Sequence, residues 1–222
     1  MVALAFAIAI AAAAALVVAA LVLRGSDGAA PSAPTPAIDL EALPQDGTLL
    51  GSPNAGVTLI EYADLQCPAC RIYTAAVLPS IVTEYVRPGR LKAEFRGIAF
   101  IGPDSEKAAR FVYAAGAQDR LWHLQDALYR NQDGENSGWV TDDLVRELAM
   151  QIPGLDVDRL FTDAKGAHVK TMVEEAAAQA DAAEVRGTPS FAIQVGNEEP
   201  ELLELGISSE ELFAALDDAL VG

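Results

Sequence analysis

Val57-Thr58-Leu59-Ile60-Glu61-Tyr62-Ala63-Asp64-Leu65-Gln66-Cys67-Pro68-Ala69-Cys70 reads as a strand running into a helix, with two cysteines at the joint. Val57 to Ala63 is rich in β-branched and aromatic residues. Apolar residues fall on both alternating faces, the pattern of a central strand covered on two sides. The helix is expected to start near Cys67 and run to about Val86, with a kink at Pro79. Pro68 suits the first helical position, where its missing N–H removes no bond. Cys67 then sits at the helix N-terminus, where free N–H groups and the helix dipole favour a thiolate. Cys70 lies one turn along on the same face, within disulfide reach of Cys67. Such a pair can attack a disulfide, form a mixed disulfide and resolve it.

Cys67 and Cys70 are the only cysteines in the 222 residues. A single pair this close cannot be a stapling framework, so it is either redox-active or half of a metal site. A closed zinc site needs four ligands. Only His123 and His168 could complete one, and their spacing is not that of a zinc finger. The position after a strand and at a helix start favours redox chemistry.

Outward from the joint, Pro88-Gly89 marks a turn and Leu91 to Phe95 alternates as a second strand. From about residue 104 to 184 the pattern is helical throughout, with Ala108, Phe111, Val112 and Ala115 at helical spacing. Thr141 is read as an N-cap, followed by Asp142 and Asp143 in the first turn. His123, beside Trp122 in a helical pattern, reads as a packed or solvent-facing residue rather than a catalyst, and Met150 and Met172 as core residues. Phe191 to Val195 is a third strand. Ser208-Ser209-Glu210-Glu211 reads as a capping box that opens a final helix. The order of strand, helix, strand, helical block, strand and helix predicts an α/β fold, a mixed sheet covered by helices.

Val2 to Leu23 contains no polar side chain and is long enough for a membrane-crossing helix. At an N-terminus it reads as a signal anchor or a signal peptide, with Val18-Ala19-Ala20 as the cleavage candidate; its length favours the uncleaved anchor. Arg24 sits on the side that would argue for the opposite orientation. Gly25 to Pro36 is Gly, Ala, Pro, Ser and Thr with one Asp, the composition of a tether. The expected organisation is a transmembrane signal anchor over 1–23, a flexible linker over 24–46 and one globular domain over 47–222. The formal net charge of −17 speaks against nucleic acid, whose phosphates need clustered Lys and Arg.

Tyr62 to Cys70, with Gly187-Thr188-Pro189-Ser190-Phe191 far downstream, resembles the DsbA-like thioredoxin family, in its bacterial membrane-anchored or lipid-anchored form. Leu50-Gly51-Ser52-Pro53-Asn54-Ala55 is similar to the family's entry segment. Leu121-Trp122-His123 and Leu128-Tyr129-Arg130-Asn131-Gln132 resemble its inserted helices. The dipeptide Pro68-Ala69 departs from the Pro-His of strong oxidants in that family. The resemblance implies a thioredoxin-like fold with a helical insertion. It implies a cis bond before Pro189, with Pro189 shaping a substrate groove and Thr188 offering backbone groups to an extended substrate. Pro68 and Ala69 border that groove. It also implies a buried acid at Glu61 that takes or returns the Cys70 proton, against the alternative of a carboxylate at the rim facing water.

On this reading the protein is an extracytoplasmic thiol–disulfide oxidoreductase on the cell membrane. Cys67 is the nucleophile and Cys70 the resolving thiol; no cofactor or metal is called for. The resemblance names unfolded secreted proteins as substrates and a membrane quinone reductase of the DsbB or VKOR type as partner. Three alternatives stay open: a reductase or isomerase of the same fold, a thiol-based metal-binding chaperone, and a non-catalytic adaptor.

Overall fold

The computed structural model describes residues 38–221. The expected transmembrane helix and most of the expected tether lie outside the described residues. Among the described residues no helix is long and apolar enough to cross a membrane.

The chain runs β1 (Gln45–Asp46), β2 (Leu49–Leu50), β3 (Val57–Ala63), α1 (Pro68–Ala76), α2 (Leu78–Ile81), a π turn (Val82–Val86) and β4 (Leu91–Gly97). The helical block follows as α3 (Pro103–Gly116), α4 (Leu121–Arg130), α5 (Asp142–Met150), α6 (Val157–Asp163) and α7 (Ala167–Ala182). Then come β5 (Ser190–Val195), β6 (Glu201–Leu202) and α8 (Ser209–Val221). The sheet order is β1-β2-β4-β3-β5-β6. β3 pairs parallel with β4 and antiparallel with β5, so it is central, and every one of its residues is buried. Parallel pairing of β3 and β4 requires a crossover, and α1 with α2 supplies it. The five helices α3 to α7 stand between β4 and β5 as the insertion into a thioredoxin-like α/β fold.

The first helix breaks earlier than expected. α1 ends at Ala76, and the bend falls at Val77 (φ −112°) rather than at Pro79. Pro79 has no N–H to give, so the preceding turn loses its bond and the chain restarts with Pro79 in the first turn of α2. Both predicted caps form. Thr141 accepts from the Leu144 N–H at 3.1 Å, and Ser208 and Glu211 bond reciprocally at the start of α8.

The folded region also begins before residue 47. Ile38 and Leu40 are buried in the core, and Gln45–Asp46 is already in the sheet. Arg87 holds this segment by donating to the carbonyls of Asp39 (2.8 Å) and Glu41 (3.1 Å). The β1–β2 edge is fastened to α4 in turn, since Trp122 Nε1 donates to Thr48 O at 3.1 Å and Gln45 Nε2 lies 2.9 Å from His123 Nδ1. Gly51 sits at φ +107°, where a Cβ would come within 2.7 Å of Val86, so this close approach requires glycine. Met150, expected in the core, is 66% exposed, because it falls at the end of α5 on its outer face; Met172 packs against the core.

Candidate active site

β3 delivers two acids and a cysteine to one end of the sheet. Glu61 lies inside the strand opposite Phe95 of β4 and Phe191 of β5. Its carboxyl is buried, and neither oxygen has a hydrogen-bond partner. Burial, reinforced by the charge of Cys67, pushes its pKa up to about 8, so it holds a proton at neutral pH. Asp64, just past the strand, is buried in the opposite way. Its carboxylate accepts from Gln66 N (2.8 Å), Ser105 Oγ (2.6 Å), Phe100 N (3.1 Å) and Ile101 N (3.0 Å). Four donors replace the water that burial removes.

Cys67 is the N-cap of α1, with extended backbone (φ −70°, ψ 120°), and Pro68 takes the first helical position. Both cysteines are free thiols and both are buried, while Pro68 and Ala69 between them are exposed. Cys67 Sγ lies 3.2 Å from the carbonyl oxygen of Thr188, to which the thiol donates. Its pKa falls to about 6. The leading cause is the Cys70 thiol donating to the Cys67 thiolate; the Thr188 side chain and the Cys70 and Ala69 N–H groups add to it, against the opposing effect of burial. Cys70 is driven the other way, chiefly by burial and then by its roles beside Cys67 and Glu61. The two thiols therefore differ in kind: one is poised to attack, and the other keeps its proton.

Thr188 and Pro189 close the site, joined by a cis peptide bond. The Thr188 hydroxyl is buried without a partner in this dithiol form. Tyr73, three residues past Cys70, also buries an unpartnered hydroxyl, and burial followed by Glu61 and Cys70 raises its pKa. The structure thus brings Cys67, Cys70, Glu61, Thr188 and Pro189 together.

Among the described residues no group of three or more His, Cys, Asp or Glu side chains could hold a metal ion. His123 is engaged with Gln45, and His168 is exposed on α7.

The thioredoxin family profile matches residues 44–218. The chain belongs to the thioredoxin family. This thioredoxin-family chain is 33% identical over 144 residues to the probable disulfide bond formation protein D of Bacillus cereus, a match covering 64% of this chain and 67% of that relative. It is similar in structure to oxidised BdbD from Bacillus subtilis, with TM-score 0.69, 22% identity, and coverage of 79% of this chain and 94% of that one. It is also similar to DsbA2 of Pseudomonas aeruginosa, with TM-score 0.63, 26% identity, and coverage of 80% and 96%. The chain is a DsbA-like thiol–disulfide oxidoreductase of the thioredoxin family.

Several residues at the site were given no role by sequence reasoning. Asp64 and Gln66 sit inside the strand–helix joint with no readable role of their own. Ser105 and Asn136 complete the network around them, with Gln66 Nε2 donating to Ser105 Oγ (2.8 Å) and Asn136 Oδ1 (3.1 Å), while Gln132 donates to the flanking Leu65 and Cys67 carbonyls. The one local signal is Asp64 two residues before Gln66, the spacing at which a carboxylate caps its own turn.

Proposed function

We propose that the protein oxidises the thiols of reduced, unfolded secreted polypeptides, using the Cys67–Cys70 disulfide. A substrate thiolate attacks Cys67 Sγ, the Cys67–Cys70 bond breaks, and Cys70 leaves as a thiolate that must take a proton. Glu61, protonated and buried beside it, is the donor. A second substrate thiolate then attacks the mixed disulfide at the substrate sulfur. A substrate disulfide forms, Cys67 departs as a thiolate, and two electrons have passed to the protein. Thr188 and Pro189 border the groove where the substrate lies, with the exposed Pro68 and Ala69 opposite. The observation that supports this reading most is the contrast between an acidified Cys67 at a helix N-terminus and a buried Cys70 that keeps its proton. A leaving thiolate stabilised at Cys67 makes its mixed disulfides easy to resolve.

The catalytic domain acts outside the cytoplasm, because a disulfide oxidant in a reducing cytosol would be held reduced. The apolar run Val2–Leu23 serves as the anchor and Gly25–Pro36 as the tether. A membrane quinone reductase of the DsbB or VKOR type reoxidises the pair.

Two experiments test this. Cys67→Ser is expected to abolish exchange, and Cys70→Ser to accumulate mixed disulfides; full activity in Cys67→Ser would sink the assignment. Equilibration of the pair against glutathione then gives the direction. A potential near that of DsbA, about −120 mV, supports an oxidant, and one near that of thioredoxin, about −270 mV, a reductant.

A further inference from the structure

The segment that carries Cys67 is gripped from outside the thioredoxin sheet, by the end of α4. Tyr129 Oη donates to Asp64 O at 3.2 Å. One turn on, a single nitrogen, Gln132 Nε2, donates to two carbonyls: Leu65 O at 2.8 Å and Cys67 O at 3.2 Å. Both partners are acceptors, so only the amide nitrogen can occupy this place. The two carbonyls belong to the peptide planes on either side of Gln66 and Cys67. Between those planes lie four backbone torsions, φ and ψ of Gln66 and of Cys67. A nitrogen bonded to both oxygens fixes their separation and thereby restrains all four.

Those torsions set where the Cys67 Cβ, from which Sγ extends, stands relative to β3 and α1. With Cys67 at φ −70° and ψ 120°, the sulfur meets the start of α1 and the Thr188 carbonyl. From α1 the Cys67 carbonyl takes a single N–H. Arg71 N reaches it at 3.2 Å, within the helix itself. Gln132 supplies the restraint from the other side.

We propose that Gln132 is a positioning residue of the exchange reaction, a clip across the Leu65 and Cys67 carbonyls that keeps the Cys67 sulfur on the helix N-terminus. The helical insertion, on this account, sets the acidity of the nucleophile as well as covering the sheet. The inference rests on Cys67 being the attacking thiol.

The test uses the full chain with Gln132→Leu, Gln132→Asn and Gln132→Glu. Leu removes the donor, Asn keeps an amide one methylene too short to span both carbonyls, and Glu sets an acceptor against two acceptors. Gln132 is half-buried, so these changes fall at the edge of the core. The Cys67 thiolate is titrated by its absorbance, and its alkylation rate is followed against pH. All three variants are expected to raise the midpoint by about one unit, Glu the most. The rate at pH 6 then falls about fivefold and converges on wild type above the new midpoint. Unmoved midpoints, or a rate lowered equally at every pH, overturn the proposal even if the melting temperature falls, since that is how a merely structural residue behaves. Should the Glu variant fail to fold, the Leu and Asn arms decide alone. Mixed-disulfide trapping by Cys70→Ser is run in parallel. Loss of trapping removes Cys67 as nucleophile and the functional reading with it; intact trapping with an unmoved midpoint removes only the role of Gln132.

Discussion

Cys67 Sγ and the Thr188 carbonyl oxygen meet at 3.2 Å across 121 residues of chain, and this contact joins the nucleophile to the loop that faces it. The thiol donates to the carbonyl. Once the proton leaves, that carbonyl has nothing to accept, and the Thr188 hydroxyl, unpartnered in the dithiol, is able to donate to the sulfur alongside the Cys70 thiol. Thr188→Val keeps the branched shape and removes that donor. Its Cys67 midpoint is expected to rise, and its disulfide to become a weaker oxidant. Thiolate absorbance against pH checks this, and a midpoint equal to that of wild type would contradict it.

Asp64 makes a different prediction, one of stability. Its carboxylate satisfies two backbone N–H groups of the Phe100–Ile101 loop, the Gln66 N–H and the Ser105 hydroxyl. Asp64→Ala leaves these donors buried with no acceptor, and each such loss costs about 1–3 kcal/mol unless water enters. A destabilisation of about 3 kcal/mol or more is expected in urea unfolding. Asp64→Asn retains one acceptor oxygen and is expected to lose less. Equal stability of Asp64→Ala and wild type would show that the network adds nothing to the fold.

Glu61 and Cys67 bias stability in opposite directions with pH. The Glu61 pKa is raised from 4.5 to about 8, so its contribution is fully present below pH 4.5 and is lost as pH rises to 8. The Cys67 pKa is lowered from 9.0 to about 6, so its contribution is present above pH 9 and is lost as pH falls to 6. The reduced protein should therefore lose stability from pH 4.5 to 6 and change little between 6 and 8, where the two slopes oppose. Between pH 8 and 9 it should gain, and above 9 the raised Cys70 pKa takes stability away again. Glu61→Gln removes the falling arm and leaves a rise from pH 6 to 9. Urea midpoints of the reduced protein at several pH values decide this; matching profiles for the variant and wild type would mean that Glu61 is not the titrating group. The same variant is expected to slow formation of mixed disulfides by the oxidised protein, through loss of the proton donor beside Cys70.

What could be read from the sequence was whatever is written locally. The β3–α1 joint was legible because a seven-residue apolar strand, a proline at the first helical position and two cysteines stand in one stretch. Thr141 and Ser208 were legible as caps because the partner N–H lies three residues away. β1, β2 and β6 were not, since two residues carry no period. The start of the domain was missed because Ile38 and Leu40 are isolated apolar residues, on a segment fastened by Arg87, distant in the chain. The clip of Gln132 on the Cys67 loop was missed for the same reason: its partners are 65 and 67 residues away. Burial of Glu61 was implied by family resemblance, and the physical ground for it is that β3 is central and paired on both sides.

The direction of exchange follows from which redox state the site stabilises. A thiolate exists only in the reduced form, so whatever favours it makes the disulfide more oxidising. With a pKa of about 6 against 9.0, Cys67 in the folded protein is about 90% ionised at pH 7, where an unperturbed thiol is about 1% ionised. Linkage converts that difference to roughly 1.4 kcal/mol in favour of the reduced state. For a two-electron couple this is about 30 mV toward oxidant. Repulsion between the thiolate and Glu61 works against it and is limited while Glu61 keeps its proton. The reduced protein is therefore expected to melt above the oxidised protein at pH 7. The gap should close as pH falls below 6, because protonating Cys67 removes its source. Calorimetry of both forms at pH 7 and pH 5 measures this. A gap that persists at pH 5 would place its origin outside Cys67. A higher melting temperature for the oxidised form at pH 7 would overturn oxidation as the net direction and leave reduction, through the same pair of cysteines.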